Sequence, residues 1–268
     1  MRCLLKRLAL TATPCFAVAA LADAAQCPQG KLVPSNGDFG AQLGSSLALS
    51  GDYALLGAPY DNEAGSLTGA LHFFEKAGGV WSEVQKLTAS DIDELDRIGF
   101  SVALEGDLAL AGSRYDEQAG YGTGAAYIFE RVGGTWTETA KLLADDFENG
   151  AFFGQSVAVR DANLVVVGAH ADDEIAVDAG SVYVFERQEG SWNQTAKLNT
   201  PDGLAEDQFG WDVSVSGSWI FVGARGVDDF GDATGAVYAY EQVGPDWIQR
   251  QKLLASDAAG PARFGLSV

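Results

Sequence analysis

The chain repeats itself every 55 or 56 residues. Four segments end alike: "WSEVQKL" from Trp81, "WTETAKL" from Trp136, "WNQTAKL" from Trp192 and "WIQRQKL" from Trp247. Glycines recur in the same register, in "LGSSLAL", "IGFSVAL", "FGQSVAV", "FGWDVSV" and "FGLSV" (Gly44, Gly99, Gly154, Gly210 and Gly265). Between these landmarks stand "LLGAPYD", "LAGSRYD", "VVGAHAD" and "FVGARGVDD", followed by "GALHFFE", "GAAYIFE", "GSVYVFE" and "GAVYAYE". Self-similarity at a fixed period restricts a chain to folds that stack one supersecondary unit on copies of itself.

Each unit holds four short runs that alternate apolar with polar residues and are rich in β-branched and aromatic side chains, the pattern of strands. In the second unit they are Ser101–Leu104, Leu108–Ala111, Gly124–Glu130 and Trp136–Leu142, termed A, B, C and D. A and B are joined by "EGD" and C and D by "RVGGT", both short hairpin connections. No segment has helical periodicity. Four antiparallel strands per repeat predict an all-β fold, a β-propeller with blades at about 44–98, 99–153, 154–209 and 210–264. A β-helix would use shorter coils, and a sandwich would not repeat so regularly. A lone D strand is expected at 26–33 and a lone A strand at 264–268. The ring is therefore expected to be incomplete, with further blades outside this sequence. The alternative is a five-bladed ring with one crippled blade.

Residues 1–24 read as a secretory signal peptide. Arg2, Lys6 and Arg7 precede an apolar stretch from Leu8 to Leu21, and Ala22-Asp23-Ala24 offers a small-x-small cleavage site. This predicts a secreted, periplasmic or cell-surface protein, with residues 25–268 as the propeller. No other apolar run approaches membrane length. Cleavage would leave Cys27 as the one thiol, free, paired with another chain, or paired with a cysteine outside this sequence. The net charge of −20 excludes nucleic acid and anionic lipid as natural partners, because both need Lys/Arg footprints.

The motifs "FG" at Phe153-Gly154, Phe209-Gly210 and Phe264-Gly265, with "GAP" at Gly57–Pro59 softened to "GAH" at Gly168 and "GAR" at Gly223, make the chain resemble the FG-GAP repeat family. That family includes the propeller of integrin α subunits and many exported bacterial proteins, and the resemblance covers residues 31–268. It implies calcium loops between strands A and B in blades of the integrin type. Here that interval holds only turns such as "EGD" and "SGD", carrying a single Asp. Calcium takes six to eight oxygen ligands, so the family's calcium sites are not carried over and no cofactor is expected from these turns; collection of calcium or another divalent cation by the acidic loop end stays open.

Alternating strand direction puts the B–C and D–A loops at one end of every blade. These loops hold 22 of the 37 acidic residues, which makes that end electronegative. Asp61, Asp116, Asp172, Asp173, Asp228 and Asp229 are the candidate binding residues. Arg97, Arg114, Arg225, Arg263 and His170 offset them only in part. Asp91, Asp146, Asp202 and Asp257 each follow the repeated Lys by five residues and are expected to close the turn after strand D. Trp81, Trp136, Trp192 and Trp247, with Phe74, Phe129, Phe185 and Tyr240, are expected to cover and fill the spaces between blades. Gly57, Gly112, Gly168 and Gly223 are expected where neighbouring backbones converge.

No catalytic constellation assembles: there is no G-x-S-x-G elbow and no H-E-x-x-H, and His72 falls within a strand. The expected function is non-catalytic binding of an extracellular protein or carbohydrate through the acidic loop end. The alternatives are a spacer within a larger surface protein and a propeller enzyme acting on polysaccharide. Because the A–B turns lack a ligand set, millimolar calcium should leave the melting temperature within about 1 °C; a larger rise would place calcium sites elsewhere in the chain.

Overall fold

The computed structural model describes residues 31–36, 40–229, 231, 233–257 and 260–268. The proposed signal peptide, Cys27 and the first part of the expected lone D strand lie outside the described residues. The compact unit runs from Leu32 to Val268.

Its sixteen strands form four separate antiparallel sheets. The first blade is β1 (Ser46–Ser50), β2 (Tyr53–Ala58), β3 (Ala70–Ala77) and β4 (Val80–Leu87). The second is β5 (Ser101–Glu105), β6 (Leu108–Ser113), β7 (Ala125–Val132) and β8 (Thr135–Leu142). The third is β9 (Ser156–Asp161), β10 (Leu164–Ala169), β11 (Ser181–Gln188) and β12 (Ser191–Leu198). The fourth is β13 (Phe209–Ser216), β14 (Trp219–Ala224), β15 (Ala236–Val243) and β16 (Asp246–Leu253). Strand order follows chain order in each, and the innermost strands pack in an open series, β1 on β5, β5 on β9 and β9 on β13. This is a β-propeller whose ring is not closed. Of the expected terminal strands, residues 31–33 and 264–268 carry no strand, although Phe264 bridges Gly235.

Burial explains the sequence pattern strand by strand. The outer strand β4 alternates between exposed and partly buried positions, whereas β6 and β10 are buried along their whole length. Strands covered by neighbours on both faces lose alternation and read as continuous apolar runs. The core accordingly lies between blades. One cluster joins Leu55, Leu71 and Phe73 of the first blade to Ala109, Tyr127 and Phe129 of the second, with Trp136 stacked on Phe73 at 4.7 Å. In the next two interfaces Phe153 meets Tyr183 and Phe185 edge-on, and Phe209 meets Tyr238 and Tyr240 in the same way. The Phe of the "FG" motif is thus a wedge between blades. Every C–D pair also carries a bulge at the same register, leaving Val84, Thr139, Thr195 or Arg250 without a partner and adding twist to the outer edge.

At the axis the blades meet backbone to backbone. A Cβ on Gly57 would lie 2.0 Å from the carbonyl oxygen of Gly99, and one on Gly112 would lie 2.0 Å from that of Gly154. The hydroxyls of Ser46, Ser101 and Ser156 donate to the same carbonyls, Gly99, Gly154 and Gly210, at 2.8–2.9 Å. Since the added methyl would meet the Gly154 backbone and the Ser101 hydroxyl bonded to it, Gly112→Ala should cost about 2–4 kcal/mol in urea unfolding. A loss below about 1 kcal/mol would show that the joint tolerates a methyl group.

Candidate functional site

Each B–C loop lies beside the D–A loop that leads to the next blade. Leu95 and Arg97 donate their amides to Ser66 and Leu67, and Phe153 and Phe209 donate theirs to Thr123 and Ala179. Both loop sets therefore occupy one end of the sheets. The A–B and C–D turns share the other end, where Lys76, Arg131, Arg187 and Gln242 amides donate to Asp52, Asp107, Asn163 and Ser218.

A ladder of ion pairs runs under the loop end. Lys141 on β8 donates to Asp116 at 2.8 Å, to Asp91 of the preceding blade's D–A loop at 3.1 Å and to Gln118 at 2.9 Å. The Tyr127 hydroxyl is shared between Asp116 at 2.7 Å and Asp91 at 2.9 Å. One blade on, Lys197 meets Asp172 at 3.0 Å, Asp146 at 2.6 Å and Glu174 at 2.7 Å, and Tyr183 donates to Asp172 at 2.8 Å. Burial works against the charge on Lys197, but its hydrogen bonds to these three carboxylates outweigh it and hold its pKa above the ordinary lysine value. Burial likewise pushes Asp91, Asp146 and Asp202 up, and the lysine contacts outweigh it to leave all three below the usual carboxylate range.

The end blades vary this theme. Lys86 pairs with Asp61 at 2.8 Å and Glu63 at 2.5 Å, and Asn36 takes the place of the bridging Asp by donating to Glu63 at 3.0 Å. His72 replaces the tyrosine and meets Glu83 at 2.6 Å. In the fourth blade Val227 stands where the other blades bury an Asp, and Lys252 pairs with Asp202 at 2.9 Å and Asp229 at 2.7 Å.

The candidate acids therefore divide. Asp61, Asp116 and Asp172 are buried at 1%, 0% and 2% exposure, which removes them from the exposed face on which the sequence put them. Asp229 is held by Lys252. Asp173 and Asp228 are exposed, and each accepts a loop amide, from Asp178 and Ala233, at 2.6 Å. Asp91, Asp146 and Asp202 take their main partner from the next blade's lysine, not from their own turn, so their part is to bridge blades. Asp257 is exposed.

Nearer the axis is a second group that the count of acids obscured. The residue before each "FG" glycine pair, Gln42, Arg97, Phe152, Gln208 or Arg263, holds a left-handed φ of +52° to +59°. The residue after strand B is Pro59, Arg114, His170 or Arg225. These positions meet across blade boundaries. Arg97 lies over Tyr60 and Tyr115, and Arg114 over Phe100 and Tyr115. Phe152 stacks on His170 at 5.5 Å, His170 meets Trp211 edge-on at 4.8 Å, and Arg225 lies over Trp211. Arg114 donates to Gln155 at 2.7 Å and Arg225 to Gln208 at 2.6 Å. Burial, then Arg114 and Arg225, push His170 down to about 3, so it is neutral at physiological pH. An axial cavity of about 570 Å³ opens below, lined in part by Tyr60, Phe100, Gln155 and Trp211. A second, of about 390 Å³, is lined by Gln208, Arg225 and Arg263 together with Glu206 and Asp228.

The sequence profile described as FG-GAP repeat matches four times, at residues 28–74, 81–129, 136–185 and 192–240. The last three matched repeats run from strand D of one blade to strand C of the next, so the sequence unit straddles the structural one. No curated protein matches the chain. Among solved structures, one from Bacteroides uniformis, provisionally described as a 6-phosphogluconolactonase, is similar with a TM-score of 0.51 and 14% identity over 80% of this chain. The chain spans 57% of that protein's length, and the likeness is one of fold.

Two outcomes test the ladder. Lys141→Met strands the fully buried Asp116 carboxylate and should cost about 3–5 kcal/mol in urea unfolding. Lys252→Met, with Val227 below it and two half-exposed acids beside it, should cost about 1 kcal/mol or less. Equal losses would remove Asp116 as the cause. Asp96 offers a check by pH: burial, with Asp116 and Asp93 nearby, raises its pKa from 3.8 to about 7. Between those values the folded chain binds a proton that the unfolded chain has released, so stability falls as pH rises. Asp96→Asn should raise the melting temperature at pH 8 and leave it nearly unchanged at pH 4.

Proposed function

The chain belongs to the FG-GAP repeat family, and on that premise we propose that it is an exported, non-catalytic interaction module that binds a protein segment at the B–C/D–A loop end of its blades. FG-GAP repeats typically occur in extracellular proteins, and the basic and apolar leader at 1–24 supports export. The observation that carries the reading is the contrast between the two halves of each blade. The strands and their ladder repeat closely, whereas the loop end varies from blade to blade and leaves Glu94, Glu117, Asp173, Glu206 and Asp228 exposed above a rigid frame. Binding residues concentrate on such loops, and exposed acids steer basic segments toward them. The buried acids support a non-catalytic part, since Asp116 and Asp172 are held by lysine and tyrosine inside the frame.

A lysine-rich peptide followed by fluorescence anisotropy at low salt tests this. Asp173→Asn/Asp228→Asn should weaken binding at least threefold, while neutralising Asp52 and Asp107 at the opposite end should change it little. Equal losses from the two ends would leave only a diffuse charge effect and sink the reading. Cell-surface display without affinity for any peptide would favour the spacer alternative.

A further inference from the structure

We propose that the arginine–aromatic group at the axial mouth is a carboxylate-binding site, and that its ligand is a protein segment carrying one acidic side chain flanked by basic residues. This rests on the loop-end reading above and names the ligand's chemistry.

The first support is the disposition of the arginines. Among the described residues there are eight, and Arg131, Arg160, Arg187 and Arg250 each pair with a carboxylate. Arg97, Arg114, Arg225 and Arg263 have no carboxylate partner among the described residues, although the chain carries 37 acids. All four belong to the axial group or its adjoining cavity. Placing cations together without a counter-ion is unfavourable, and the neighbours register it: burial pushes Arg114 and Arg225 down, Arg263 and Arg114 add to this at Arg225, and at Arg114 Arg97 adds to it against the opposing effect of Tyr115. A site that lacks its counter-charge is one that an anionic ligand completes.

The second support is a set of unmet polar atoms. The Nε atoms of Arg97 and Arg114 and the Nδ1 of His170 are buried without a hydrogen-bond partner, and His170 is only 8% exposed. Buried polar groups are seldom left unpaired. Arg225 uses its Nε on Gln208, which leaves its outer fork for a ligand. Such a fork matches a carboxylate in two parallel bonds.

The third is the charge pattern around the mouth. The cations are central, and the exposed acids Glu94, Glu117, Asp173, Glu206 and Asp228 stand on the loops about them. A polyanion would gain at the centre and be repelled at the rim. A lone carboxylate between basic residues fits both zones.

A synthetic peptide with one Asp flanked on each side by two Lys, its Asn counterpart and an oligo-Glu peptide provide the test, by anisotropy at low ionic strength with the purified chain. The Asp peptide should bind about tenfold tighter than the Asn peptide, as one charge-assisted bidentate contact implies, and tighter than oligo-Glu. Arg225→Gln/Arg263→Gln should abolish the difference between Asp and Asn. Arg263→Gln alone, at an exposed position, should reduce it without altering the melting temperature. The proposal is overturned by equal affinities for the Asp and Asn peptides, by a difference that survives both substitutions, by tighter binding of oligo-Glu, or by no binding below 1 mM. The loop-end reading fails separately, if Asp173→Asn/Asp228→Asn leaves binding of the Asn peptide unchanged.

Discussion

Where two blades meet at the axis, the backbone of one glycine lies against the carbonyl of another, Gly57 on Gly99 and Gly112 on Gly154, with a serine hydroxyl closing the joint. This contact sets the distance between inner strands. Radial geometry then makes the blades diverge outward, and the widening gap must be filled by progressively larger side chains. Ala, Val and Leu suffice on the inner strands, as at Ala109, Leu110 and Val165, while Phe73, Phe129, Phe185 and Trp136 stand on the outer strands. Replacing the glycine at the joint would move every layer beyond it, because interiors packed at crystal density have no slack to absorb the shift.

The same geometry determines which charges are structural. A carboxylate at the end of strand B is buried beside the preceding blade's D–A loop and is stable there only with a cation and hydrogen bonds, which the lysine of strand D and the tyrosine of strand C supply. An ion pair of this kind contributes register more readily than net stability. It holds the loop end of one blade to the strand edge of the next, and its bridging acid comes from the previous repeat. Val227 shows that a blade is built without the buried acid provided the outer acids Asp202 and Asp229 still meet Lys252. The axial arginines are the converse. Arg97, Arg114 and Arg225 are packed on aromatic faces, which tolerate a guanidinium without neutralising it.

Much of this was legible in the chain. The strand runs, the glycine joint and the inter-blade part of Phe129 and Phe185 all follow from residues that recur in register. The ladder was visible only in part. Lys141, Asp116 and Asp91 recur at separations of 25 and 50 residues, but a repeated Asp after a strand has a local explanation, a turn, and sequence offers no way to prefer the distant one. The axial group was not legible, because Arg97, Phe152 and Gln208 share a position while differing in type. Self-comparison rewards sameness and passes over a ring assembled from unlike residues.

The sequence by itself determined the unit: four strands, their order and the glycines at their joints, because period and alternation are local properties that every copy states again. Only the tertiary structure decided which carboxylates are spent on holding blades together and which cations gather at the axis. Those outcomes depend on distances between residues of different repeats, and such distances exist only after the blades have stacked.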